Sequence, residues 1–139
     1  MGQIADIVIN DGESTPVAHT FKLGELKPGF WKFEDRSGGI EFGYPLVCFW
    51  ISPTSKTSRL RKVRLKIMIP KLEVVNASTY NGITPAPTKA YDVGFDGTFF
   101  MPDRATTQEI KNVRMILANF LGSGAGVAFS ILDSREMLY

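Results

Sequence analysis

From Lys62 to Ile67 the polar and apolar positions alternate without a break. Lys62, Arg64, Lys66 and Met68 hold one parity, and Val63, Leu65, Ile67 and Ile69 hold the other. An extended strand sends successive side chains to opposite faces, so this segment predicts a strand with one apolar and one cationic side. Upstream, Ile4 to Asn10 alternates loosely and stops at Asp11-Gly12, a hairpin-turn dipeptide. Thr15 to Leu23 is the predicted partner strand, with Pro16 near its start, where a missing N–H does little harm. Gly24 to Gly29 reads as a loop, and Phe30 to Phe33 as a short strand before Ser37-Gly38-Gly39. Ile40 to Ile51 is a long strand rich in aromatic and β-branched residues, closed by Ser52-Pro53. The polar loop Thr54 to Ser58 leads into the alternating strand, which ends at Pro70, a residue better placed at an edge or bulge than in a central ladder. Asn76 to Lys89 is dense in Gly, Pro, Asn and Thr and reads as a long exposed loop, a length that usually signals a function. Tyr91 to Met101 is the last strand, where Gly94 and Gly97 predict a bulge or the close approach of another backbone.

The period then changes. Thr106-Thr107-Gln108-Glu109 forms a capping box, with Thr106 at the N-cap and Glu109 three residues on. Ile110, Val113, Leu117, Phe120 and Leu121 come next at helical spacing, and Gly122 marks the stop. A second, shorter helix is expected from about Val127 to Leu132. Strands first and helices last predict an α+β domain, an antiparallel sheet with helices on one face. Two helices are too few to cover five or more strands, and an antiparallel sheet leaves edges that invite pairing. Both problems disappear if two copies join edge to edge and exchange helices, so an intimate homodimer is expected.

Charge sharpens the picture. Seven of the sixteen basic residues fall between Ser52 and Lys71, a stretch without an acid, and the remainder of the chain has nine basic against fourteen acidic residues. The net charge of +2 therefore conceals a concentrated patch. Lys56, Arg59, Arg61, Lys62, Arg64 and Lys66 are the residues expected to meet a polyanion, most naturally the phosphates of a nucleic acid. At 139 residues the chain makes one domain, 1–139, and can bury a core. No run approaches the roughly 18 apolar residues of a membrane span, and the N-terminus lacks the features of a signal peptide, so no membrane partner is expected. Cys48 stands alone, which rules out an intramolecular disulfide and suggests a small buried hydrophobe. His19 has neither a second histidine nor a nearby cysteine for a metal site, and is expected to be a surface strand residue. Glu34-Asp35, Asp92 and Asp96 form no recognisable acid–base set, and Gly122 to Gly126 follows a helix rather than a strand, unlike a phosphate loop. Trp31, Trp50 and Phe99 are expected to pack in the core or at the dimer interface. No enzyme activity, cofactor, metal or small-molecule substrate is implied.

The run Arg61 to Leu72 resembles the basic strand ending in Pro-Lys of coat proteins from single-stranded RNA bacteriophages of the levivirus type. The downstream elements come in a similar order: a Pro-containing loop at Thr84 to Thr88, a strand opened by Ala90-Tyr91, a strand end at Phe99-Phe100-Met101-Pro102, a capped helix, and a final Leu138-Tyr139. The likeness is clear over residues 40–139, and the N-terminal hairpin fits in layout more than in sequence. It implies a coat subunit with an N-terminal β-hairpin (1–24), a five-stranded antiparallel sheet (29–101) and two C-terminal α-helices (106–139). Two subunits would form an intertwined homodimer with a ten-stranded sheet, and the dimers would self-assemble into an icosahedral shell around single-stranded RNA. Such a protein is made in the bacterial host cytoplasm and ends in the virion capsid. The resemblance further implies that the cationic sheet face binds an RNA stem-loop, repressing replicase translation and directing packaging. The family's adenine pockets match Val47, Phe49 and Ile51 here, which offer no hydrogen bond to a base edge, leaving Phe49 to stack; the family's stacking tyrosine matches Tyr91. Residues Asn76, Tyr80, Asn81, Gly82, Pro85 and Pro87 fall in the loop that in the family lies between dimers. The competing reading is a non-viral dimeric RNA- or DNA-binding regulator with the same basic sheet face, which would have no use for a long Pro-rich loop. A small-molecule enzyme is disfavoured because the sheet face is cationic and no catalytic set appears.

Overall fold

The computed structural model describes residues 4–39, 41–73, 88–122, 129–135 and 137. The chain divides into two compact units, Met1–Phe100 and Met101–Tyr139. The first is a single six-stranded sheet in sequential order, from β1 (Ile7–Asn10), β2 (Ala18–Lys27) and β3 (Phe30–Glu34) to β4 (Leu46–Ser52), β5 (Leu60–Leu72) and β6 (Lys89–Pro102). The pairs from β1 through β5 are all antiparallel. Between β5 and β6 the contacts of Arg64 with Asp96 and of Glu73 with Thr88 run in opposite sequence directions, which makes that pair antiparallel too. The N-terminal hairpin is thus continuous with the sheet, giving six strands rather than a separate hairpin beside five.

The continuity has a local cause. β2 is ten residues long, so its first half pairs with β1 and its second half with β3, with the register shifting between Leu23 and Glu25. Gly24, expected in a loop, sits at this irregularity, where a Cβ would lie 2.8 Å from the Glu34 carboxyl group. The strand turns only at Pro28-Gly29, with Gly29 at φ 74°, the proline-then-left-handed-glycine sequence of a type II turn. Asp11-Gly12 does not make a two-residue turn either. Asp11 closes a longer loop by accepting from the N–H of Val17 at 2.9 Å and of Glu13 at 3.3 Å. β4 begins at Leu46 rather than Ile40 because a 3-10 turn, Glu41–Gly43, and Pro45 precede it.

The core lies on one face of the sheet. Phe21, Phe33 and Val47 are buried at its centre, with Ile7, Leu23, Trp31, Phe49, Leu65 and Ile67 packed around them. Burying each of the larger side chains contributes about 1.5–3 kcal/mol. Phe33 and Phe49 meet edge to face at 6.3 Å. Cys48 is buried as a small hydrophobe, and burial pushes its thiol pKa up against the opposing charges of Lys32 and Lys66.

His19 is the partly exposed strand residue expected, on β2, but its ring is held by two carboxylates that the sequence did not indicate. Its Nε2 lies 2.8 Å from Asp11 and its Nδ1 2.9 Å from Asp35, tying the β1–β2 loop to the turn after β3. Two carboxylates accept at once only from an imidazolium, since a neutral ring has one N–H. The hydrogen bonds from Asp11 and Asp35 accordingly raise the His19 pKa. Asp35 is buried, which by itself disfavours its charge, but hydrogen bonds from His19 and Ser37 outweigh burial and hold its pKa down.

In the second unit, α1 (Thr107–Gly122) carries the expected capping box. Thr106 Oγ1 accepts from the Glu109 N–H at 3.2 Å, and Glu109 Oε2 accepts from the Thr106 N–H at 2.8 Å. None of its described residues is buried. No described helix is long and apolar enough to cross a membrane. The expected second α-helix is not found in that form: its described part, Phe129–Asp133, is a single π turn, and residues 123–128 lie outside the described residues.

Candidate nucleic-acid interface

The strand pleat fixes which residues share the face opposite the core. The β4–β5 register pairs Ser52 with Lys62, Trp50 with Arg64, Cys48 with Lys66 and Leu46 with Met68. The β3–β4 register adds Phe30 beside Trp50 and Lys32 beside Cys48, and β2 adds Lys27 beside Phe30 and Glu25 beside Lys32. Because the core face takes Val47, Phe49, Leu65 and Ile67, the predicted division of β5 into an apolar and a cationic side is what the fold contains.

One row crosses the whole face. Lys27 Nζ stands 5.9 Å from the Phe30 ring centre, Phe30 and Trp50 stack obliquely at 5.0 Å, and the Arg64 guanidinium covers Trp50 at 4.9 Å. Arg64 then donates from Nε to Asp96 Oδ1 on β6 at 2.8 Å and from Nη2 to Asp96 Oδ2. This forked contact lowers the Asp96 pKa and raises that of Arg64. Both groups are exposed, so the pair matters less for stability than for charge: it neutralises one of the cations assigned to a polyanion. Lys62 is differently placed, with Nζ 5.8 Å from the centre of the Phe100 ring. Lys66 lines a concavity of about 530 Å³ together with Lys32, Lys89, Glu34, Glu41, Asp92 and Tyr44. Lys56 and Arg59 lie in the exposed loop before β5.

The other sequence candidates are distributed differently. Phe49 pairs with Leu65 and packs against the core, so the aromatic beside the cations is Trp50, one residue on and on the opposite side of the pleat. Of the aromatics expected in the core or at a dimer interface, Trp31 packs against the core, whereas Trp50 lies on the opposite face. Arg61 alternates with Lys62 and therefore leaves β5 on the other side. Tyr91 precedes Asp92 of the concavity and falls on the side of Val93 and Phe95. The loop residues Asn76, Tyr80, Asn81, Gly82, Pro85 and Pro87 lie outside the described residues. The bracketing Glu73 and Thr88 are joined by an N–H···O bond of 2.7 Å and a side-chain bond of 3.0 Å. Sequence reasoning missed Lys27, Phe30, Lys32 and Asp96, whose relation to β5 is a matter of strand pairing. The parity of Phe30 and Lys32 within Phe30-Trp31-Lys32-Phe33 was the available signal.

Among the described residues no cluster of His, Cys, Asp and Glu has the arrangement of a metal site. Comparison with known proteins agrees with a coat subunit. The capsid protein of Pseudomonas phage PRR1 is 28% identical over 138 residues, covering 99% of each chain. The subunit in the virus-like particle of bacteriophage ESE058 is 31% identical, covers 99% of this chain and all of its own, and superposes with a TM-score of 0.88. The capsid protein of bacteriophage GA, at 19% identity, shares the fold with a TM-score of 0.73 over 96% of both chains. The levivirus coat protein family model matches residues 2–139. The chain belongs to the levivirus coat protein family.

Proposed function

We propose that this capsid protein works as a homodimer whose sheet turns its cationic face to packaged single-stranded RNA and its apolar face to the helices of a second copy. One observation carries the reading: the same sheet has cations on one side and uncovered hydrophobics on the other. Ile51, Ile69, Tyr91, Val93 and Phe95 are all exposed on the core side of β4–β6. In the other unit Val113, Ile116, Phe120 and Leu121 are exposed along α1. Two uncovered apolar surfaces in one chain fit mutual cover by a second copy. Joining two of these six-stranded sheets edge to edge gives one continuous sheet across the dimer and covers the joined edges.

The RNA-facing role rests on Lys62, Lys66 and Lys32, with Lys56 and Arg59 at the margin. Such contacts supply affinity through phosphate neutralisation rather than base readout. Recognition of a stem-loop that represses replicase translation belongs to the same reading and would use the same face. The segment Asn76–Lys89 is assigned to contacts between dimers.

Light scattering and electron microscopy of the purified protein test the assembly, with hollow shells and a dimeric building block expected. A monomer at all concentrations overturns the dimer. Shortening Asn76–Lys89 should spare the dimer and impair the shell. For RNA, the log of the affinity should fall by about 0.7 per phosphate contact for each decade of salt. Binding insensitive to salt overturns the assigned face.

A further inference from the structure

On β3 to β6 most apolar side chains of the cationic face are at least half covered: Phe30, Leu46, Trp50 and Met68 are intermediate in exposure and Cys48 is buried. Phe100 differs. Among the described large hydrophobics of these strands it alone is both exposed, at 63%, and placed on that face, as its contact with Lys62 shows. The other exposed ones, Ile51, Ile69, Tyr91, Val93 and Phe95, have the opposite parity. Apart from the Lys62 ammonium, the ring leaves an aromatic face open to solvent among cations, a surface that a planar ligand can cover.

Lys62 supplies the second half of the argument. Arg64, two residues on, is engaged by Asp96, whereas Lys62 makes no ion pair among the described residues and holds its ammonium near the Phe100 ring. A ring that stacks on a base and a neighbouring ammonium that donates to a phosphate match the two halves of one nucleotide. Duplex RNA offers phosphates but keeps its base faces stacked; only an unpaired nucleotide offers both. We infer that Phe100 and Lys62 form a stacking site for an unpaired base of single-stranded RNA, distinct from the row through Trp50, whose ring is covered by Phe30 and Arg64.

This inference rests on the RNA-facing reading of the sheet, and the experiment separates the two. Full-length protein is titrated with a fluorescent single-stranded RNA ten-mer and with a blunt duplex of the same length, over a range of salt. Phe100→Ala and Phe100→Leu should each weaken single-strand binding by about 5- to 150-fold, leave duplex binding unchanged and keep the salt slope, while Phe100→Tyr retains wild-type affinity. Leucine preserves the apolar bulk and removes only the aromatic face, so it separates stacking from a packing defect. Equal single-strand affinity in wild type and Phe100→Leu, or an equal loss on duplex, overturns the stacking site while the sheet face stands. A wild-type protein that binds neither RNA with salt dependence overturns both.

Discussion

Arg64 on β5 and Asp96 on β6, 32 residues apart in sequence, are joined by a forked ion pair on the face assigned to RNA. The carboxylate occupies the guanidinium edge that would otherwise take a phosphate bidentately. Replacing Asp96 with Asn keeps the size and removes the charge. Asp96→Asn should raise RNA affinity and steepen the salt dependence by about 0.7 in log affinity per decade, one further phosphate contact. Anisotropy titrations at several salt concentrations measure this; an unchanged slope would mean that RNA already displaces Asp96 in the wild type.

How much of this interface the sequence makes legible depends on the range of the interaction. The two-sided character of β5 is local, because strict alternation has one structural solution, and the fold preserves it. The capping box at Thr106 and Glu109 is equally local and forms as read. Strand register is not local. A shift of one residue on β4 exchanges Phe49 for Trp50, and apolar residues at both parities, Val47, Phe49 and Ile51 against Leu46, Cys48 and Trp50, give no signal to choose. Asp96 and His19 belong to the same class, since their partners come from other strands or loops. Gly24 misled because a glycine between Leu23 and Glu25 reads as a break, yet a register shift uses it inside a continuous strand.

The Asp11–His19–Asp35 bridge makes the N-terminal hairpin sensitive to pH. A raised histidine pKa stabilises the fold fully below the ordinary value of 6.5, and the contribution disappears as pH rises through the raised value. The lowered carboxylate values of Asp11 and Asp35 act the other way: their contribution is present above 3.8 and lost as pH falls through the depressed values. The hairpin is therefore held best between about pH 3.8 and 6.5. The melting temperature of wild type relative to His19→Gln should show its largest excess in that window and shrink on either side. A difference independent of pH would show that His19 acts through packing alone.

Gly94 was expected to mark a bulge or a close backbone approach, and the second is found. A Cβ at this position would stand 2.5 Å from the Ile67 carbonyl oxygen and also collide with the Met68 sulfur. Methionine can swing aside, but the carbonyl belongs to the neighbouring strand. Gly94→Ala should destabilise the subunit by about 1–3 kcal/mol through overpacking and loosen β6 from β5. Chemical denaturation measures the loss, and hydrogen exchange should locate it in β5 and β6. A variant as stable as wild type would mean that β6 shifts at no cost.

Ile116 decides between a helix that faces water and one covered by a second copy. It is 68% exposed in the single chain, and for a residue in that setting a polar substitution changes stability by no more than about 0.5 kcal/mol. If α1 lies on a partner's apolar sheet face, Ile116→Ser removes a buried side chain from the interface twice per dimer. Each removal weakens association by about 1.5–3 kcal/mol. The dimer dissociation constant should then rise by at least two orders of magnitude, because the symmetric interface carries two copies of the change. Concentration-dependent light scattering reads this directly, and shell formation should fail at concentrations where wild type assembles. Lys111→Ser on the same helix controls for helix propensity and should leave the dimer intact. Wild-type association by Ile116→Ser would remove α1 from the dimer contact and leave the exposed Tyr91, Val93 and Phe95 requiring another cover.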